Sequence, residues 1–166
     1  RPALDLLLAL PRPKVMKRLW AQLAALGVDR IILTNAARVE RNYFDTHVLD
    51  PAFYTPLLIE GLQQAQDTRL PRVTIHRAFK PLVEDELDGL SDAPHRLLAD
   101  PLSTDSLDAH EGGRSLLAVG PEGGWVDFER DFLHRHRFQS FSLGPRTLRT
   151  DTACIALLAV LAHRPQ

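Results

Sequence analysis

Two short segments carry the side chains best suited to chemistry. The first is Gly120-Pro121-Glu122-Gly123-Gly124. The second is Gly144-Pro145-Arg146-Thr147-Leu148-Arg149-Thr150, which runs into Asp151 and Thr152. Glycine at 120, 123 and 124 removes side chains and lets backbone groups approach a ligand closely. Arg146 and Arg149 beside a helix start make a place that attracts negative charge. Thr150 and Asp151 are both suited to cap that helix, and capping is expected of at least one of them. Taken alone, a Gly-Pro-Glu-Gly-Gly turn is more often structural than functional; the arginine-bearing second loop argues for a site.

Other chemistries lack their residues. The glycine spacing is not G-x-G-x-x-G and no P-loop lysine follows it, so a nicotinamide cofactor or a nucleoside triphosphate is unsupported. His134 and His136 lie two apart on a helical pattern, point to different faces and make a poor metal pair, so no metal is expected. Cys154 reads as a small core residue, Trp20 as part of an apolar helical stripe, and Trp125 as packing beneath the glycine loop.

Each loop follows a short apolar run, which places both at strand ends. Leu116-Leu117-Ala118-Val119 leads into Gly120, and 138–143 leads into Gly144. In a parallel sheet such ends share one edge, where α/β folds hold ligands. Upstream, Val15, Met16, Leu19, Trp20, Leu23 and Leu26 form one helical stripe over 14–26, with Gly27 as its stop. Residues 30–34 and 72–76 read as strands, 53–66 as a helix despite Pro56, 82–90 as weakly helical and 96–100 as a short strand. The polar, turn-rich segment 103–113 reads as a mobile loop. A helix over 126–136 opens on Asp127, Glu129 and Asp131, acids that suit the positive end of its dipole. The last helix, 151–162, has no polar face from 153 onward. It is expected to be buried on every side, by threading or by a second subunit. The alternation predicts an α/β fold, a mostly parallel sheet flanked by helices.

Composition bounds the class. The 166 residues suit one domain with a real core. A single cysteine leaves no internal disulfide framework and fits a reducing, cytoplasmic setting. No apolar run approaches the roughly 20 residues needed to span a bilayer, and the run at 4–10 lacks the flanks of a secretory signal. The net charge of −1 argues against a strongly basic nucleic-acid binder but leaves room for a local patch. The chain starts at Arg1-Pro2, already in an apolar run, as a fragment starts.

The stretch Leu117-Ala118-Val119-Gly120-Pro121-Glu122-Gly123-Gly124-Trp125, followed by Ser142-Leu143-Gly144-Pro145-Arg146-Thr147-Leu148-Arg149-Thr150-Asp151-Thr152-Ala153, resembles the RsmE-type ribosomal RNA uridine N3-methyltransferases of the SPOUT superfamily. Their paired motifs read approximately I-G-P-E-G-G-F and S-L-G-x-R-I-L-R-x-E-T-A. Both occur here in the same order and separation. A looser similarity covers Leu26-Gly27-Val28 and 60–71. Asp151 stands where the family commonly has glutamate, Thr147 where isoleucine is usual, and Asp67 where a basic or small residue is frequent.

The resemblance implies a SPOUT-type knotted α/β fold over 1–166 with a C-terminal trefoil knot, a homodimer, and S-adenosylmethionine held bent within the knot. It also implies an N-terminal RNA-binding β-barrel that this chain lacks. The cofactor pocket is then expected from Val119, Gly120, Pro121, Glu122, Gly123 and Gly124 on one side. Leu143, Gly144, Arg146 and Leu148 face them, and Leu98 and Pro101 form a third wall. Methylation of uridine N3 requires loss of the imide proton and stabilisation of charge spreading over N3 and two carbonyl oxygens. Arg149 is the first candidate for that electrostatic role; Glu122 or Asp151 would take the proton. Arg38, Arg41, Arg69 and Lys80 are candidates for contacts to ribosomal RNA phosphates. A related enzyme acting on another ribosomal or transfer RNA base or ribose, and a non-catalytic RNA- or cofactor-binding assembly factor, remain as alternatives.

Overall fold

The six residues Leu-Asp-Leu-Leu-Leu-Ala of β1 (Leu4–Ala9) are all buried and lie in the middle of the sheet. This run carries no period-2 alternation because both of its faces are covered, as in parallel α/β sheets. From sequence the run at 4–10 lacks the flanks of a secretory signal and carries no strand pattern; its place between two other strands is what makes 4–9 a strand. The computed structural model describes residues 4–107 and 113–163.

After β1 come α1 (Pro13–Ala25), β2 (Val28–Thr34), two 3-10 turns (Arg41–Asp45 and His47–Leu49), α2 (Pro51–Ala65) and β3 (Arg72–His76). A helical stretch follows, made of α3 (Phe79–Pro81), a π turn (Leu82–Glu86) and α4 (Leu87–Leu90). Then come β4 (His95–Ala99), β5 (Ser115–Val119), α5 (Asp127–Arg135), β6 (Phe138–Phe141) and α6 (Thr150–Ala162). The sheet order is β3-β2-β1-β5-β4-β6 and all neighbouring pairs are parallel. Of the loop expected at 103–113, residues 108–112 lie outside the described residues.

Local signals account for most boundaries. α1 begins on Pro13, whose missing N–H costs nothing there. It ends where Gly27, at φ +78°, donates its N–H to Ala24 O. α2 starts on Pro51, two residues before expected, because the Asp50 carboxylate accepts from Ala52 N at 2.9 Å. Pro56 is accommodated near its start.

Strand order decides which face each helix covers. β1 to β2 to β3 steps one way across the sheet, so right-handed crossovers put α1 and α2 on one face. β3 to β4 and β5 to β6 step the other way, which puts 79–90 and α5 on the opposite face. Phe79 accordingly meets Phe132 of α5 and Trp125, with ring centroids 5.9 and 5.6 Å apart. α6 returns to lie against α1, β1 and β5.

α6 departs from the expectation of burial all round. Within one chain it buries Cys154, Leu157, Leu158 and Leu161. Val160 is 42% exposed and Ile155, Ala156 and Ala159 are half-buried, leaving an open apolar stripe. No described helix is long and apolar enough to cross a membrane.

Candidate functional site

Because every strand is parallel, the loops after β1, β2, β4, β5 and β6 gather at the carboxyl edge. The chain leaves β1 toward β2 on one side, while β5 lies on its other side, so the loops diverge there and open a crevice.

The glycine loop is built for close approach. A Cβ at Gly120 would lie 3.1 Å from the ring and backbone N of Trp125, which is buried beneath the loop as expected. A Cβ at Gly123 would lie 2.9 Å from Arg38 Cδ. Gly124, at φ +80°, closes the turn by donating its N–H to Pro121 O at 2.8 Å. Arg38 Nη1 donates to Gly123 O. Buried Glu129 secures the same region, accepting from Ala37 N at 2.8 Å and Val126 N at 2.9 Å. Glu129 thus ties the loop after β2 to the segment after the glycine loop, a role its acidic first-turn position does not reveal in the sequence.

The second loop is held by the chain after β4. Asp100 N donates to Phe141 O at 3.0 Å and Ser142 N to Asp105 O at 2.9 Å. Ser142 Oγ accepts from Gly144 N and donates to Gly144 O, both at 3.1 Å. Neither Thr150 nor Asp151 caps α6, which corrects the sequence expectation. The helix starts at Thr150 with Arg149 as N-cap and has no side-chain cap. Buried Thr150 instead donates its hydroxyl to Gly120 O at 3.3 Å, and Asp151 pairs with Arg18 of α1 at 3.2 Å. Long-range partners took both groups.

Two clefts result. One runs from the glycine loop past Ala99, Asp100 and Pro101 to Thr147, Leu148 and Ala153. It gathers Pro101, Val119, Leu148 and all five residues at 120–124. An apolar hollow beside it takes in Leu143, Gly144 and Arg146. Leu98 is fully buried in the sheet, and Ala99 and Asp100 form that wall instead. Trp125 Nε1 is buried without a hydrogen-bond partner at the floor of the first cleft.

The second cleft, about 400 Å³, opens between the amino ends of α1 and α6. It brings Glu122, Arg149 and Asp151 together with Arg12, Lys14 and Arg18. Glu122 Oε1 accepts from Arg12 N at 3.1 Å and pairs with its Nε at 3.5 Å. The three α1-side cations were missed because their signal, basic residues right after an apolar run, depends on recognising β1 as a strand.

The remaining candidates scatter. Arg38 is engaged at Gly123. Arg41 and Lys80 are exposed, after the carboxyl ends of β2 and β3. Arg69 is exposed in the turn before β3, at the opposite edge of the sheet. His134 Nε2 meets Ser140 Oγ at 2.5 Å and His136 Nδ1 meets Phe132 O at 2.8 Å. Among the described residues no group of three His, Cys, Asp or Glu could hold a metal ion. Burial pushes the Cys154 thiol up to about 12, so it stays protonated in the core. Trp20 is a core residue, its Nε1 donating to Val48 O at 3.0 Å.

The chain is similar to proteins of one kind. The ribosomal RNA small subunit methyltransferase E of Treponema pallidum is 33% identical over 96% of this chain, which spans 62% of that protein. The corresponding enzyme E 1 of Borreliella burgdorferi is 27% identical over 97% of this chain and 67% of its own length. Among solved structures, a methyltransferase E from Neisseria gonorrhoeae bound to S-adenosyl methionine superposes with a TM-score of 0.80. It is 22% identical, covering 95% of this chain and 64% of that one. The SpoU methyltransferase AviRb of Streptomyces viridochromogenes, in complex with AdoMet, shares the fold at a TM-score of 0.65 and 15% identity, over 98% of this chain and 60% of that one. The sequence model of the RNA methyltransferase domain matches residues 1–162, and the chain belongs to that family.

Proposed function

We propose that this chain catalyses transfer of a methyl group from S-adenosylmethionine to N3 of a uridine in small-subunit ribosomal RNA, in the cytoplasm and as a homodimer. The observation that carries the reading is the Thr150–Gly120 bond, which joins the two motif loops around a glycine-walled cleft at the carboxyl edge of a parallel sheet. The names of the Treponema and Borreliella relatives and the cofactor in the Neisseria structure support the same reading.

The residues fit the cofactor. A side chain at Gly120 would press on Trp125 and one at Gly123 on Arg38, both residues of the cleft lining; the walls at Val119, Leu148 and Ala153 are apolar, and Trp125 Nε1 is a buried donor without a partner. The bound group would supply a methyl on a positively charged sulfur, and the chain's part is then mainly positioning. Arg149, exposed at the start of α6, is assigned to stabilise charge developing on the uracil oxygens. Glu122 lines both clefts, which favours it over Asp151, a residue of the second alone, as the proton acceptor. Arg41 and Lys80 would make outlying phosphate contacts.

The dimer reading rests on the open stripe of α6, whose apolar side chains need a cover. The knotted path rests on the return of the chain from edge strand β6, alongside the loop after β4, to place α6 against β1 and β5. Calorimetric titration with S-adenosylmethionine and S-adenosylhomocysteine, with Gly123→Arg as control, tests the cofactor pocket. Mass-spectrometric mapping of small-subunit RNA after incubation tests the acceptor. A folded parent that binds neither compound would sink the methyltransferase reading.

A further inference from the structure

Resting on the methyltransferase reading, we infer that the RNA is received in the cleft between the amino ends of α1 and α6. There Arg12, Lys14 and Arg18 hold the phosphodiester beside the target nucleotide.

The chain as a whole carries a charge of −1, so attraction for a polyanion must be local. This cleft brings four cations, Arg12, Lys14, Arg18 and Arg149, together with only two acids, Glu122 and Asp151. Arg12 and Arg18 have side chains 59% and 53% exposed, and each is paired with one of those carboxylates. Exposed pairs of this kind are weak and exchange partners readily. In the free protein they orient the guanidinium groups into the cleft; a phosphate offers the same planar, bidentate partner with more charge.

Position supplies the second argument. Glu122, Thr147, Leu148 and Thr150 line this cleft and the glycine-walled cleft alike. A nucleotide seated against the cations therefore abuts the space assigned to the cofactor, with Arg149 between phosphate and base. Methyl transfer needs this adjacency of donor and acceptor. Of the cations expected from sequence to meet RNA, Arg38 is bound to Gly123 O and Arg69 lies at the far edge of the sheet, so neither serves this position.

The test measures anisotropy of a labelled single-stranded oligouridylate with saturating S-adenosylhomocysteine over a series of salt concentrations. The variant is Arg12→Gln/Lys14→Gln/Arg18→Gln. Arg72→Gln/Arg135→Gln/Arg137→Gln, all exposed and elsewhere, is the charge-matched control. The cleft variant should lose about tenfold or more in affinity, and its salt slope should flatten by about 2, or ~0.7 for each lost contact. Its S-adenosylhomocysteine affinity should stay near the parent's. Unchanged RNA affinity and slope, an equal loss in the control, or no RNA binding by a cofactor-binding parent would each overturn the inference and leave the cofactor reading intact. Failure of the parent to bind S-adenosylhomocysteine would instead overturn the reading on which it rests. Should the triple variant misfold, Lys14→Glu alone, on an exposed side chain, must weaken RNA binding or the inference falls.

Discussion

Thr150 Oγ1 donates to the carbonyl oxygen of Gly120 across 30 residues of sequence, at 3.3 Å. The bond ties the first residue of α6 to the first residue of the glycine loop and so links the two walls of the cleft. Thr150→Val keeps the shape and deletes the donor. It should cost about 1 kcal/mol of stability, typical of one hydrogen bond. It should also weaken S-adenosylhomocysteine binding several-fold, because a loosened cleft must be ordered at binding. Unfolding in urea and calorimetry read the two effects; unchanged cofactor affinity would show that the bond does not organise the cleft.

Arg149, the N-cap residue of α6, lines the second cleft together with Glu122 and is exposed, outside the hydrophobic core. Arg149→Ala should leave cofactor affinity and stability near the parent's and lower turnover on small-subunit RNA about 10²–10³-fold, the usual loss of one charge-stabilising donor. Full turnover would remove Arg149 from the mechanism.

Gly61 of α2 crosses α1 so closely that an added Cβ would lie 2.0 Å from the backbone oxygen of Ala21. Helical propensity alone makes Gly61→Ala favourable by about 1 kcal/mol. The backbone clash should reverse the sign and cost about 3 kcal/mol, since no flexible side chain is there to give way. A lowered urea midpoint is the expected result; a raised one would mean the helices can separate cheaply.

Asp5, at the amino end of β1, is fully buried. Burial holds its carboxyl above the ordinary aspartate value, although Ser91 Oγ donates to it at 2.5 Å and Arg114 pairs with it at 2.7 Å. A raised value means that the folded state binds the proton more tightly than the unfolded state. Between the unfolded and folded values, this group's contribution to stability therefore falls as pH rises. Asp88, lowered chiefly by its hydrogen bond from Arg96, acts in the opposite sense and loses its contribution as pH falls. Asp5→Asn should remove the first dependence while leaving Arg114 paired with Asp29 and Asp92. The stability of the parent relative to the variant should then decline as pH rises above the ordinary aspartate value. A difference that stays flat from acid to neutral pH would contradict the assignment.

The sequence by itself determined what depends on neighbours along the chain. The α1 stripe and its Gly27 stop, the strands that end at both motif loops, and the glycines of 120–124 all follow from local pattern and backbone freedom. Those same loops carried enough similarity to identify the family. Tertiary structure alone decided what depends on register between distant segments. It made the leucine-rich run Leu4–Ala9 a central strand, which no periodicity marks because both its faces are covered. It also diverted Thr150 and Asp151 from capping to Gly120 and Arg18. The basic cleft is of the same kind: Arg12 meets Glu122 across 110 residues and Arg18 meets Asp151 across 133. Such pairs form because a parallel sheet brings the carboxyl ends of separate strands to one edge, a juxtaposition no local spacing encodes.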